Sequence, residues 1–274
     1  MKEDDFINIS QHMQKIDMKD LLAHKELLRA LVLRQLTVRY KQTSVGLGWM
    51  ILQPLVMMVI LATVFKAMPG LSPSGVPYSL FILSAYIPWL IFSRIIGEGT
   101  GCILSEQGLI SRVFFPRIII PLALVIIGAC DFLILILFLL ISYFLVTPEF
   151  ISINLITLPI FILILLMGAS GIVLWTSALN VRYRDFAIVV PFFLSILFFL
   201  SPIIYSSSFW PENLRNILSF NPMLVVIDGF RWALFGVNFG ALNHELSSLL
   251  TIFVIFFSGL IFFKKCADDF ADNL

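Results

Sequence analysis

Six long apolar runs with very few charged residues constrain the fold of this chain more than any other feature. The runs are 45–65, 78–97, 118–146, 153–179, 186–206 and 246–263. Each is near the roughly 20 residues that a helix needs to cross a hydrocarbon core of about 30 Å. Of the 274 residues only 13% are charged, whereas soluble domains have about 25%. We therefore predict an all-α integral membrane protein with six transmembrane helices.

The positions of the lysines and arginines predict the orientation of these helices. Basic residues cluster before the first run, between runs two and three, between runs four and five, and after run six. Only Lys66, Arg215 and Arg231 lie in the alternate loops. Because cytosolic loops retain positive charge, both termini are predicted to be cytosolic. The chain then divides into a cytosolic segment, 1–44, and a transmembrane domain, 45–274. A net charge of +1 gives no reason to expect nucleic acid as a partner.

Residues 17–41 are predicted to form a further helix directly before the first run. Asp17 fits as its N-cap, and several apolar residues share one side at helical spacing: Leu21, Leu28, Leu31, Val32 and Leu36. The polar residues at its end are Arg34, Arg39, Tyr40 and Lys41. A basic, partly amphipathic helix of this kind lies at the cytosolic membrane surface, against the lipids. The alternative is a flank that only sets the topology.

The connection between runs two and three combines basic and aromatic residues. Its candidate contact residues are Ser111, Arg112, Phe114, Phe115, Pro116 and Arg117. Aromatic residues and arginine dominate the hot spots of protein interfaces. Two adjacent, exposed phenylalanines between arginines therefore predict a docking point for a cytosolic protein. The alternative is a basic loop whose phenylalanines simply enter the next helix.

From Ser201 to His244 the apolar pieces are too short to span a membrane, because prolines and charges interrupt them. Two acid–base pairs have the i,i+3 spacing of one helix face: Glu212/Arg215 and Asp228/Arg231. Asn221-Pro222 is a typical helix start, with a cap followed by proline at the first helical position. We predict short re-entrant helices between spans five and six that form a gate at the outer side. The alternative is an interfacial external loop.

Asp131 is the only acid deep within a predicted span, and such a charge usually marks a functional site. A proton relay would need further intramembrane acids or histidines, whereas His12, His24 and His244 lie outside the spans. We interpret Asp131 as structural, either neutral or hydrogen-bonded to a neighbouring helix. The three cysteines lack metal-ligand spacing. No catalytic cluster and no GxxxxGK[ST] motif is present, so we expect neither an enzyme nor a nucleotide-binding chain.

Several motifs, taken in order, resemble those of the ABC type-2 polysaccharide-export permeases. They are RQLTVRYKQT at 34–43, GW at 48–49, LQPL at 52–55, VPY at 76–78, PW at 88–89, LI at 109–110, FPR at 115–117, SALNVRYRD at 177–185, SPIIY at 201–205, NPM at 221–223 and GFRWAL at 229–234. The resemblance covers the chain from about residue 25 to its end. One such motif is weak evidence, whereas the ordered set is specific.

The resemblance implies a six-helix half-transporter that forms a homodimer and binds two copies of an ABC ATPase subunit. The implied cargo is a lipid-linked polysaccharide of O-antigen type, moved from the cytosol across the bacterial inner membrane in lipopolysaccharide biosynthesis. ATP and Mg²⁺ are then bound by the partner, and this chain binds no cofactor. The family's coupling segment maps onto residues 104–117. Ser111 stands there at a position that is often basic, so docking is expected to depend on Arg112 and Arg117.

Other functions remain open at this point. A permease of the same family could export teichoic acid, a drug or another lipid. From other classes, an ion-coupled carrier is disfavoured because the spans hold so few charges. A membrane-embedded transferase is disfavoured because no catalytic cluster stands out.

Six side chains are candidates for contact with a glycan in a channel: Trp49, Gln53, Tyr86, Trp89, Tyr205 and Trp210. An aromatic face stacks on the C–H face of a sugar, while a polar tip keeps a hydrogen bond. Trp49 and Gln53 are one helical turn apart and would line the channel from the first span. For each aromatic residue, anchoring at the membrane interface is the alternative.

Overall fold

The computed structural model describes residues 22–41, 47–65, 75–147, 152–237, 240–267 and 270. Within these ranges the chain is helical and contains no strand. The predicted N-cap Asp17, the basic residue Lys66 and the Pro-Gly-Ser break at 69–74 lie outside the described residues.

Eleven α-helices and two short 3₁₀ helices are present in the described ranges. The α-helices are α1 Lys25–Lys41, α2 Leu47–Phe65, α3 Tyr78–Thr100, α4 Cys102–Ser105, α5 Gln107–Ile110, α6 Ile119–Val146, α7 Leu158–Arg182, α8 Phe186–Leu200, α9 Glu212–Leu218, α10 Pro222–Phe235 and α11 Leu242–Ala267. The 3₁₀ helices are Ile153–Thr157 and Ser207–Phe209.

Five helical segments are long and apolar enough to cross a membrane, which confirms most of the predicted spans. They are Gly48–Phe65, Tyr78–Thr100, Ile119–Val146, Ile153–Arg182 and Leu242–Ala267. A sixth is obtained if α9 and α10, which are bent by 104° to each other, count as one broken span. The structure thus supports an integral membrane protein with five to six apolar spans.

The predicted fifth span, 186–206, is shorter in the structure than in the sequence analysis. Helix α8 has 15 residues and ends at Leu200, which corresponds to about 22 Å. Ser201 has an extended backbone, with φ −93° and ψ 146°. Pro202 follows it, and a residue before proline is driven out of the helical region. The apolar run therefore continues past the point at which the helix must end.

Helix α3 forms the centre of the described chain. Almost all of its side chains are buried, among them Phe81, Phe92 and Ile95. It packs against α6 and α7 on its main faces and also contacts α2, α8 and α10. The other spans keep large apolar surfaces at the outside of the described chain, so α3 organises the core rather than facing lipid.

Helices α7 and α11 cross closely because small residues face each other. A Cβ on Gly171 would lie 2.7 Å from the Phe256 Cα, and a Cβ on Gly259 would lie 2.6 Å from the Gly171 carbonyl oxygen. Such residues let two backbones approach each other in a membrane. Packing is therefore the role of this small-residue patch, and Trp175 next to it stacks on Phe262 at 4.0 Å between ring centroids.

Candidate coupling network and passage

The predicted coupling segment consists of α4, α5 and the turn before α6. Ser111, Arg112 and Phe114 are exposed, and Phe114 exposes 69% of its surface. Phe115 exposes only 6% and packs in the core. The prediction of two adjacent exposed phenylalanines is therefore wrong for Phe115, because the chain already turns inward at this residue. Phe114 alone carries an aromatic surface at this point.

The end of the coupling segment is partly covered by the C-terminal part of the chain. Pro116 and Arg117 are half-buried. The guanidinium of Arg117 lies 5.9 Å from the centre of the Phe270 ring. Arg112 is exposed. Of the two arginines expected to contact a partner, Arg112 is thus the more accessible.

Helix α1 is attached to the coupling segment through Glu106, an acid without a predicted role. Glu106 lies between α4 and α5 and is buried. Arg34 of α1 forms an ion pair with its carboxylate, and the Gln35 side-chain amide donates to the same carboxylate at 3.4 Å. A displacement of α1 must therefore move Glu106, or break this pair.

Asp131 lies in α6 and receives its partners from two other helices. Its side chain is fully buried. Arg39 forms an ion pair with it, the Tyr40 hydroxyl donates to it, and the Arg94 Nη1 lies 3.6 Å from its Oδ2. Asp131 is thus hydrogen-bonded to neighbouring helices, and its structural role stays a prediction. Because Asp131 is twelve residues from the start of α6, or about 18 Å, the end of α1 lies alongside α6 rather than beyond its end.

Arg39 also contacts α3, where it forms an ion pair with Glu98. Burial alone would lower the pKa of Arg39, but the carboxylates of Glu98 and Asp131 outweigh this effect and raise it. Burial and the nearby Asp131 carboxylate raise the pKa of the Tyr40 phenol. Both side chains of α1 therefore remain proton donors at neutral pH. Charged groups that are buried in this way are stable only when paired.

The chain of polar contacts ends at an open cleft on α2. The Arg94 Nη2 donates to the Gln53 Oε1 at 3.2 Å. The cleft has a volume of about 320 Å³ and is lined by Trp49, Leu52, Gln53, Val56, Met57 and Tyr86. We call the contacts among Arg39, Glu98, Asp131, Arg94 and Gln53 the α1 network.

The six predicted glycan contacts separate into different places. Trp49, Gln53 and Tyr86 meet at the cleft, where Trp49 exposes 64% of its surface. Trp89 is buried, with its ring centre 5.7 Å from that of Phe198.

The other two aromatic candidates pack together in the segment after α8. Tyr205 and Trp210 have ring centres 6.1 Å apart, and the Tyr205 hydroxyl donates to the Phe199 carbonyl oxygen at 2.8 Å. Trp210 is buried. The predicted set is therefore not one surface, because only the three residues at the cleft lie together on α2 and α3.

The segment predicted to be re-entrant contains the expected helix start. The Asn221 Oδ1 accepts from the Met223 backbone N–H at 2.9 Å, and Pro222 is the first residue of α10. The predicted pair of Asp228 and Arg231 is formed, at 3.8 Å.

The second predicted pair, Glu212 with Arg215, is wrong. The Arg215 Nη2 instead donates to the carbonyl oxygens of Ser208 and Trp210, at 2.9 and 3.1 Å, and Glu212 is exposed on α9. Helix α9 has only seven residues, and the loop before it offers carbonyl groups that hold the arginine in place of the acid.

Three acids were not predicted as site residues. Glu98 and Glu106 bind α1, and Glu245, in the first turn of α11, is buried and lines the same cavity as Asp228. Glu98 could have been found, because it follows Arg94 by four residues on one helix face. Glu245 could also have been found, as an acid next to an apolar run without a basic neighbour. Glu106 gave no local signal, since its partner Arg34 is 72 residues away. Among the described residues, no group of three or more His, Cys, Asp or Glu side chains is arranged to hold a metal ion.

Comparison with known proteins gives a family and several relatives. The ABC-2 type transporter family matches residues 26–235. The chain is 29% identical over 252 residues to the O-antigen export system permease protein RfbA of Klebsiella pneumoniae, covering 91% of this chain and 95% of the relative. It is 24% identical over 258 residues to RfbA of Myxococcus xanthus, covering 93% and 98%. It is also 25% identical over 243 residues to the polysialic acid transport protein KpsM of Escherichia coli, covering 84% and 91%.

Proposed function

Because this chain belongs to the ABC-2 type transporter family, we propose that it is the permease of an exporter that carries a polysaccharide across the bacterial inner membrane. The near-complete match to O-antigen and polysialic acid permeases carries this proposal. The long apolar helices fit a multi-pass membrane protein. The cargo is a lipid-linked glycan of O-antigen type, taken up on the cytosolic side.

The energy source is a separate ATPase subunit, two copies of which act on two copies of this chain. ATP and Mg²⁺ bind to that subunit, and this chain is not itself an enzyme. The exposed faces of α2 and α8 support a pairing of two copies. They carry Trp49, Val59, Val64, Phe192 and Phe199 at the outside of the described chain. With the cleft of each copy facing the other, α2 and α8 would line a common passage.

The orientation follows from the charges. In it the apolar run 186–206, which begins with α8, is the fifth crossing, so the coupling segment and both termini face the cytosol. Helices α9 and α10 then return into the outer leaflet as a gate. The 104° bend between these two helices supports a re-entrant path. The α1 helix then lies at the cytosolic side of the membrane, and its C-terminal end packs along α6.

Coupling between ATP and transport is proposed to pass through two contacts of α1. Closure of the ATPase pair pushes on the exposed residues Arg112 and Phe114. Glu106 transmits this displacement to Arg34 of α1. The α1 network then transmits it from Arg39 to Arg94, which holds Gln53 at the cleft. The passage widens when α1 and α2 move together.

Reconstitution tests this proposal directly. The chain is inserted into liposomes with its partner ATPase, and ATP-dependent movement of the strain's lipid-linked polysaccharide is measured. We expect Arg112→Glu to abolish most of the glycan-stimulated ATP turnover, because it reverses the charge of an exposed docking residue. Arg184→Glu, at an exposed arginine of the α7–α8 turn, is the matched control. Absence of polysaccharide movement with the unmodified chain would refute the proposed function, and unchanged turnover in Arg112→Glu would refute the docking assignment.

A further inference from the structure

A second, larger cavity lies at the end of the protomer opposite to the coupling segment. Its volume is about 810 Å³, within the range of roughly 300–1,000 Å³ typical of small-molecule sites. It is bounded by the first turns of α3, the segment 206–210, α10 and the start of α11. Helix α3 has 23 residues, or about 34 Å, and the coupling segment follows its other end. The two sites are therefore separated by the thickness of the membrane.

Two buried carboxyl groups face this cavity. Asp228 of α10 exposes 7% of its surface and Glu245 of α11 exposes 3%. Both groups reach the same point of the wall, because a Cβ on Gly240 would overlap the Glu245 Oε1 and would lie 3.5 Å from the Asp228 Oδ2. Arg231 is paired with Asp228 at 3.8 Å and donates to the carbonyl oxygens of Ile203 and Tyr205. A charge is costly to bury, so such a group is retained where it has a partner or a role.

Four buried polar atoms of the cavity-lining residues have no hydrogen-bond partner in the described part of the chain. They are Arg215 Nε, Asp228 Oδ2, Arg231 Nε and Glu245 Oε2. Only one other such side-chain atom, Ser177 Oγ, occurs among the described residues. Buried polar groups in folded proteins are nearly always paired. Their concentration around one cavity indicates that water or a polar ligand inside it completes them, and a ligand that replaces this water must offer matching donors and acceptors.

The chemistry of these atoms restricts the class of ligand. Two of these atoms are hydrogen-bond donors and two are acceptors. The charges of the two acids and the two arginines cancel, so the ligand needs no net charge. A hydroxyl group both donates and accepts. A proton shared between the two carboxyl groups would give the two acceptor oxygens a hydrogen bond. Both arginine N–H donors would still have no acceptor. Trp210 adds aromatic surface to the wall, whereas the Phe81 ring is covered by the Arg231 guanidinium at 3.6 Å. Aromatic rings pack against the C–H faces of sugars.

We propose that this cavity binds a neutral, polyhydroxylated sugar residue of the exported glycan, held within a single protomer by Asp228, Glu245 and the two arginines. The inference rests on the proposed function, because it assumes that a glycan passes this side of the protein. It adds a holding site that is separate from the cleft at Trp49 and is formed in part by residues of the predicted outer gate, Arg215, Asp228 and Arg231. A sugar residue held there opposes the return of the chain between transport steps.

Binding to the complete permease–ATPase complex in lipid nanodiscs tests the site. The probe is the strain's own polysaccharide, freed of its lipid by mild acid. Asp228→Asn with Glu245→Gln keeps the shapes of the side chains but removes the charged acceptors, and we expect the Kd to rise about tenfold or more. Glu26→Gln, at an exposed acid of α1, is the matched control and should leave the Kd unchanged.

A second variant keeps the test valid if the double replacement does not fold. Ala241 is exposed at the edge of the cavity, so Ala241→Trp narrows the cavity without touching a charge. We expect it to weaken binding as well. Wild-type Kd in both variants would overturn the inference, and so would export by the unmodified complex without measurable binding. If the unmodified complex neither exports nor binds the polysaccharide, the proposed function itself fails.

Discussion

Replacement of Arg39 by glutamine is expected to destabilise the chain by leaving a buried carboxylate short of its main partner. Asp131 is fully buried, whereas Arg39 is 28% exposed. Removal of one member of a buried ion pair typically costs about 3–5 kcal/mol. Arg94 stays 3.6 Å from Asp131, and at an effective dielectric constant of about 20 its attraction is about 5 kcal/mol before desolvation. This residual partner reduces the expected loss for Arg39→Gln to about 2 kcal/mol.

The companion replacement Asp131→Asn removes the buried charge itself. It leaves Arg39 paired with Glu98, so we expect a smaller loss. In the double variant the buried carboxylate is gone, and only Glu98, whose side chain is 42% exposed to solvent, loses its arginine. The loss in the double variant should therefore fall short of the sum of the single losses by about 1 kcal/mol or more, within the range measured for residues in contact.

The assay is equilibrium unfolding of the purified chain in mixed micelles, with the free energy of unfolding measured for each variant. Arg29→Gln, at an exposed arginine of the same helix, is the control and should stay within about 0.5 kcal/mol of the unmodified chain. If Arg39→Gln unfolds like this control, or if the two single losses add without coupling, the α1 network does not hold α1 on α6. The same variants should then leave transport-coupled ATP turnover unchanged.

Further replacements test other parts of the structure. Gly171→Ala should lower the free energy of unfolding by about 1–3 kcal/mol, because its Cβ would meet the Phe256 Cα at 2.7 Å. Gly97→Ala, where a Cβ meets nothing within 4 Å, is the control in the same unfolding assay. Equal stability of the two variants would contradict the close packing of α7 on α11. Asn221→Ala should cost about 1 kcal/mol through loss of the cap, and a melting temperature equal to that of the unmodified chain would contradict it. Trp49→Ala should slow export of long glycans in the liposome assay without lowering membrane insertion, and normal export would remove the cleft from the proposed passage.

The spans could be predicted from the sequence because membrane crossing depends on local composition. A run of about 20 apolar residues indicates a span without any information on distant contacts. The start of α10 is equally local, because the cap Asn221 and Pro222 are adjacent. The predicted length of α8 was wrong because a backbone restriction, and not the composition, ends this helix. The hydrophobicity continues to residue 206, but the backbone restriction imposed by Pro202 on Ser201 ends the helix at Leu200.

The sites were less accessible to prediction than the spans, because their partners are distant in sequence. The exposed position of Phe114 and the buried position of Phe115 depend on how the chain turns into α6, which composition does not encode. The assignment of Trp49, Gln53 and Tyr86 to one cleft depends on the packing of α2 on α3. Trp89 is also a tryptophan of an apolar span, but it packs against Phe198 and faces inward.

Asp131 and Asp228 show that the position of a buried acid's partner determines what the pair can do in the protein. Both are buried acids, and the same desolvation cost requires a donor beside each of them. Asp228 has Arg231 on its own helix, so the spacing alone revealed the pair. Asp131 has Arg39, which is 92 residues away on a helix that also binds the coupling segment. A local pair stabilises one element, whereas a distant pair makes the position of one element depend on another. The coupling that we propose between ATP and the passage needs a pair of the second kind, and the α1 network contains one.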